Sequence, residues 1–245
     1  MASWGKKALL LSRSFFGPAA VLFLAVAGWQ ARDIFAGLID NAAPEMMLVA
    51  LLLWMLLHPI SPVFTCVVLN ELGAHLPYRV ALRIHIQRLP ARYLPGGIWH
   101  TVSRVIDLHA YGVSKAHLTF LLVLENTIPV AVALLLGGSL AIFSEATRSL
   151  GLFALLGGAA VLAIIPVLLR HRTLRQHAPF RLVAVCKIIG ISAGFWLLAA
   201  SAFACYWSGF ATTAMDPVFR VGSAYLLGWA RGFLGVFAPQ GTGVV

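Results

Sequence analysis

The chain has 245 residues, 60% of them hydrophobic and only 11% charged. A soluble domain carries roughly a quarter charged residues, so a water-coated globule is excluded and lipid is left as the solvent. The net charge of +10 would suggest nucleic acid on a soluble protein, but here the bases collect in a few segments where membrane topology accounts for them, and nucleic acid is not expected as a partner.

The apolar residues come in long blocks without period-2 alternation. The predicted fold class is therefore all-α, a polytopic transmembrane bundle of about six spans forming one integral membrane domain over 1–245. The first span, Phe15 to Gln30, is marginal, because a crossing helix needs about 20 residues. Its basic lead (Lys6, Lys7, Arg13) resembles a signal peptide, but Gly17–Pro18 interrupts it and Trp29–Gln30–Ala31 is a poor cleavage site. The second span, Met46 to Leu69, contains Pro59 and Pro62. Each proline removes a helical hydrogen bond, which implies either a packing kink or a discontinuous helix beside a substrate path.

Between Tyr78 and Lys115 the chain reads as neither span nor flexible linker. Arg79, Arg83, Gln87, Arg88 and Arg92 recur at near-helical spacing, with Val80, Leu82, Ile84, Ile86 and Leu89 as apolar partners. This predicts a short interfacial helix with its basic side toward head groups; the same bases also serve as a topology signal. Tyr93–Leu94–Pro95–Gly96–Gly97–Ile98–Trp99 then breaks the helix. A Gly-Gly turn opening a new helix exposes backbone N–H groups suited to a phosphate, with Arg92 on one side and Arg104 about two turns further on.

The third span, Leu118 to Phe143, carries Glu125 and Asn126 in an otherwise apolar run. A carboxylate at that depth costs roughly 2.5–3.5 kcal/mol by insertion scales. Two fates are open to Glu125: a packing role, paired with Arg104 or hydrogen-bonded to neighbouring helices, or a place on a cavity wall facing a cationic group or a proton. Pro129, one turn on, points to a deformed helix. The fourth span is Leu150 to Leu169, the fifth Leu182 to Trp207 and the last Val218 to Ala238. The last leads into Pro239–Gln240–Gly241–Thr242–Gly243, which echoes the turn at Pro95–Gly97. Two such interrupted segments in related positions point to a transporter-like site.

Bases concentrate in the N-terminal tail, in the 79–115 segment and in Arg170 to Lys187, whereas the alternate segments carry Asp33, Asp40, Glu45, Glu145 and Asp216. This bias predicts a cytoplasmic N-terminus. Cys66, Cys186 and Cys205 lie in apolar stretches and read as core-filling thiols. The histidines lack metal-ligand spacing, and no nucleophile elbow, P-loop, dinucleotide fingerprint or paired carboxylates occur, so no metal, cofactor or catalytic residue is expected and the chain does not read as an enzyme.

The segments Arg92 to Val105, Gly112–Val113–Ser114, Leu124 to Gly137 and Gly228 to Gly243 together resemble the transmembrane, flippase-like region of the lysylphosphatidylglycerol synthases, in order and over most of the chain. The resemblance implies a multi-pass protein of the bacterial inner membrane that binds or translocates polar or modified phospholipids. The lysyl-transferring soluble domain of that family is absent here, so transferase activity is not implied. The candidate head-group site comprises Arg92, Tyr93, Pro95, Gly96, Gly97, Trp99, Arg104, Glu125 and Asn126, with Pro239, Gly241 and Gly243 as a second glycine-rich loop. In the family that last motif continues into further helices, so a C-terminally incomplete domain is expected. The partners expected are membrane phospholipids. The alternatives are a membrane subunit of a lipid-linked glycosyl- or aminoacyl-transferase system, with that transferase as partner, and a non-transporting scaffold. A sealed Arg104–Glu125 pair with no cavity beside it is the mark of the scaffold.

Overall fold

A computed structural model describes residue 18 and residues 21–33, 42–93, 99–170, 181–210 and 218–234, without the side chains of 92, 93, 99, 167–170 and 234. The described chain is all-helical. Helix α1 covers Val21–Gln30, α2 Pro44–Glu71, α3 Tyr78–Arg88, α4 Trp99–Ala110, α5 Lys115–Ala141, α6 Arg148–Arg170, α7 Leu182–Ser208 and α8 Val218–Leu234. Short 3-10 turns occupy Leu89–Tyr93 and Glu145–Thr147.

Among the described residues, four helices are long and apolar enough to cross a membrane: α2, α5, α6 (taken from Glu145 to Pro166) and α7. This marks a membrane protein and corrects the expected count of about six. The described apolar part of α1 is Val21–Gln30, about 15 Å long. Helix α8 has 17 residues, about 25 Å, and includes Arg220 and Arg231. The rest of the expected first span, and the continuation of the last to Ala238, lie largely outside the described residues. Large apolar side chains such as Leu51, Phe153, Leu156 and Leu182 are more than half exposed, the belt that a lipid-facing surface requires.

Helix α2 begins with Pro44 at its first turn, where the missing N–H is harmless. It then runs through Pro59 and Pro62 without interruption, so the discontinuous-helix reading is not what forms. The backbone around Pro59 gains an outside partner, because Tyr78 Oη donates to the Pro59 carbonyl at 2.8 Å. The helix stops at a glycine cap. Gly73, at φ 78°, donates to Asn70 O, and Ala74 N donates back to Leu69 O at 2.9 Å. Helix α4 ends in the same way: Gly112, at φ 88°, donates to His109 O, and Val113 N donates to Leu108 O. The hydrophobic contact that accompanies such caps is in place, with Leu108 and Val113 both buried.

Between these two stops sit α3 and α4, of 11 and 12 residues. At about 17 and 18 Å they are too short to cross a bilayer core of about 30 Å. The predicted helix over this region therefore forms, and Arg79 and Arg83 are exposed on it. Arg88 departs from the expected basic face: it forks onto Asp107 of α4 at 2.5 and 2.7 Å, locking the two short helices together.

Helices α2 and α7 lie antiparallel and pack extensively. Ala43 N donates to Gly209 O at one end, and Arg181 pairs with Glu71 at 2.9 Å at the other. That carboxylate holds the Arg181 guanidinium above its ordinary range. Helices α5 and α6 approach so closely that Gly138 and Gly151 face each other backbone to backbone. In lipid such close contact, not hydrophobic transfer, holds helices together. Cys66 is buried as expected, whereas Cys186 is exposed on α7 and fills no core.

Candidate functional site

Ser114 starts α5 by accepting the His117 N–H at 3.2 Å. About 15 Å along the helix from Lys115, Glu125 meets two other elements. Its Oε2 accepts from Arg104 of α4, and its Oε1 accepts from Thr65 Oγ1 of α2 at 2.9 Å. One carboxylate thus ties three helices. Arg104 and Glu125 keep only 11% and 14% of their side-chain surface exposed, too little for solvent to screen the pair.

The pair is not sealed. It lines a cavity of about 190 Å³ between α2, α4, α5, α7 and α8. Ser192, on α7, lines the same cavity about 15 Å from Leu182. Two buried polar atoms there have no hydrogen-bond partner among the described residues: Arg104 Nε and Ser192 Oγ. Both are donors, and a buried donor left unpaired costs about 1–3 kcal/mol. The aromatic part of the wall is Phe64, Phe195, Trp196, Trp229 and Phe233.

Pro129 gives this wall its backbone character. Lacking an N–H, it deprives the Glu125 carbonyl of its helical donor. Its own carbonyl accepts from Trp196 Nε1 at 2.8 Å, which fixes the indole. Asn126 Nδ2 donates to Leu122 O at 2.6 Å, inside its own helix. His100, one turn before Arg104, also lines the cavity. Its ring lies 6.0 Å from His85, which lies 5.7 Å from His58. No group of residues among those described has the arrangement to hold a metal ion.

Of the residues singled out in the sequence, Arg104, Glu125 and Asn126 come together at this cavity. The side chains of Arg92, Tyr93 and Trp99, and all of Pro95, Gly96, Gly97, Pro239, Gly241 and Gly243, lie outside the described residues. Thr65 and Ser192 were not singled out, although a hydroxyl within an apolar span is the available signal for each. The cavity aromatics left no signal, because a tryptophan in a lipid-facing run reads as one more apolar residue. A second crevice of about 430 Å³, lined by Met47, Ala50, Leu51, Trp54, Phe203 and Tyr206, has no charged group.

Comparison with protein-family models, with curated proteins and with solved structures returned no match. The resemblance to the lysylphosphatidylglycerol synthase membrane region accordingly rests on the sequence motifs alone.

Proposed function

We propose that this membrane protein binds polar phospholipids and moves their head groups in the manner of a flippase, with Arg104, Ser192 and Glu125 as the head-group site. The single observation that carries the reading is that the Arg104–Glu125 pair borders a cavity instead of being sealed in the bundle. The phosphate accepts from Arg104 Nε and Ser192 Oγ, the two donors left without partners. At about 190 Å³ the space suits a head group. It is smaller than the roughly 300–1,000 Å³ of sites that swallow whole ligands, so the acyl chains stay in the bilayer. The base distribution supports a cytoplasmic N-terminus and 79–115 segment, and the family resemblance supports a bacterial inner membrane. The bordering cavity disfavours the scaffold alternative.

The test is native mass spectrometry of the detergent-purified protein with added phosphatidylglycerol. Arg104→Lys keeps a positive charge facing Glu125 but removes the Nε donor and the planar fork. It is expected to lower retained lipid by about tenfold, the scale of one charge-assisted hydrogen bond, with little change in thermal stability. Ser192→Ala is expected to leave the fold as stable or up to about 1 kcal/mol more stable, since it removes an unsatisfied buried hydroxyl, while also reducing lipid retention. Lipid retention unchanged in both variants would leave the reading without support.

A further inference from the structure

The cavity holds one fixed cation and one fixed anion, and it is walled by aromatic rings. Trp196 and Trp229 lie 4.3 Å apart, Phe195 sits edge-on to Trp196 at 5.2 Å, and Phe233 stacks on Trp229 at 5.4 Å. Phe64 of α2 contributes a further ring to the lining. The Trp196 N–H is already given to Pro129 O, so this indole offers a ligand its π system and not a hydrogen bond.

We infer that the preferred head group is a zwitterion whose positive end is a quaternary ammonium: a phosphate ester of a trimethylammonium alcohol. This rests on the lipid-handling reading above and names its substrate class. A site carrying both signs matches a ligand carrying both signs, with the phosphate on Arg104 Nε and Ser192 Oγ and the cation toward Glu125 and the rings. The choice of quaternary over primary ammonium follows from the acceptors. A primary ammonium brings three N–H donors that must all be satisfied once out of water. Glu125 already accepts from Thr65 on one oxygen and from Arg104 on the other, so about half of its roughly four lone-pair sites are taken. A trimethylammonium group has no N–H to satisfy. It asks only for negative charge nearby and aromatic surface around its methyl groups, where a desolvated cation gains most from ring quadrupoles. Size agrees: a cavity of about 150 Å³ admits benzene, and this one is about 190 Å³.

The experiment compares phosphatidylcholine, phosphatidylethanolamine and phosphatidylglycerol of identical acyl chains, offered in equal amounts to the 245-residue protein, with retention read by native mass spectrometry. Phosphatidylcholine is expected to be retained roughly tenfold over phosphatidylethanolamine. Trp229→Leu, and independently Phe233→Leu near the end of α8, are expected to erase that preference, with thermal unfolding in detergent confirming that each variant is folded. A second arm titrates free phosphocholine and reads tryptophan fluorescence. If free phosphocholine binds as tightly as the lipid, the cage chemistry stands and the lipid reading falls. If phosphatidylglycerol is retained through Arg104 but choline and ethanolamine lipids are held equally, the lipid reading stands and the quaternary-ammonium inference falls. If both aromatic variants keep the choline preference, the cage is overturned. If neither any phospholipid nor phosphocholine binds, both are overturned.

Discussion

Glu125→Gln is expected to destabilise the folded protein by about 3–5 kcal/mol, the cost of stranding the charge of a buried partner. The substitution keeps an oxygen for the Thr65 hydroxyl but removes the negative charge facing Arg104, whose side chain is only 11% exposed. Arg104→Met strands Glu125 in the same way. The double variant, Arg104→Met with Glu125→Gln, removes both charges and is expected to recover most of the lost stability. Replacing a whole buried pair by groups of similar volume is often neutral or stabilising, whereas halving it is not. Reversible unfolding in mixed micelles on all four proteins gives the coupling energy directly. The same four proteins separate a tie between helices from a ligand site. A tie alone predicts that lipid retention returns with stability in the double variant. The proposed site predicts a stable double variant that no longer retains phospholipid. If Glu125→Gln costs less than about 1 kcal/mol, the scale of an exposed pair, the carboxylate is solvated and the site as described does not exist.

Much of this arrangement was legible before any coordinates. Glu125 stood out because a carboxylate in an apolar run has few tolerated fates, and pairing with Arg104 was one of the two put forward. The packing fate is what forms, since the pair ties α2, α4 and α5, and the same carboxylate also lines a cavity. The helix Tyr78–Arg88 between the second and third spans was readable from the near-helical spacing of Arg79, Arg83 and Arg88, whereas the glycine caps at Gly73 and Gly112 were not read. What was not readable was long-range. Ser192 lies 67 residues from Glu125 in sequence, the same separation as the Trp196–Pro129 hydrogen bond that fixes the aromatic wall. In a water-soluble helix, periodicity would reveal which face packs inward. In lipid both faces are apolar, so Trp196 and Trp229 are indistinguishable by pattern from the exposed Trp207. The prolines of α2 left two readings open for a related reason. Proline marks a missing hydrogen bond, but whether the helix breaks depends on neighbours, and here α2 stays continuous with Tyr78 bonded to the Pro59 carbonyl. Four spans among the described residues, against about six expected, follow in part from α8, whose 17 residues include Arg220 and Arg231.

Gly157 and Gly158, adjacent in α6, are expected to respond to alanine in opposite directions. A Cβ on Gly158 would lie 2.8 Å from the Ala131 carbonyl oxygen and 2.9 Å from Leu135 Cγ of α5. The backbone oxygen cannot turn aside as a side chain can, so α5 and α6 must separate, at a cost of about 1–3 kcal/mol. A Cβ on Gly157 meets nothing within 4 Å. There alanine restricts only the unfolded chain and is expected to add about 0.5–1 kcal/mol of stability. Gly138→Ala belongs with Gly158, since its Cβ would sit 2.8 Å from the Gly151 carbonyl. Thermal unfolding in detergent reads the sign of each change, and a destabilising Gly157→Ala or a neutral Gly158→Ala would place the α5–α6 contact elsewhere. These variants also test whether the bundle's scaffold is separable from its site. The α5 residues that receive α6 here are Ala131, Leu134, Leu135 and Gly138, while those lining the cavity are Leu122, Glu125, Asn126 and Pro129. Among the described side chains, none from α6 lines that cavity. Lipid retained per folded molecule is therefore expected to be unchanged in Gly158→Ala even as the melting temperature falls. A parallel loss of lipid would mean that the α5–α6 contact sets the position of Glu125, coupling the packing seam to the head-group site through the body of α5.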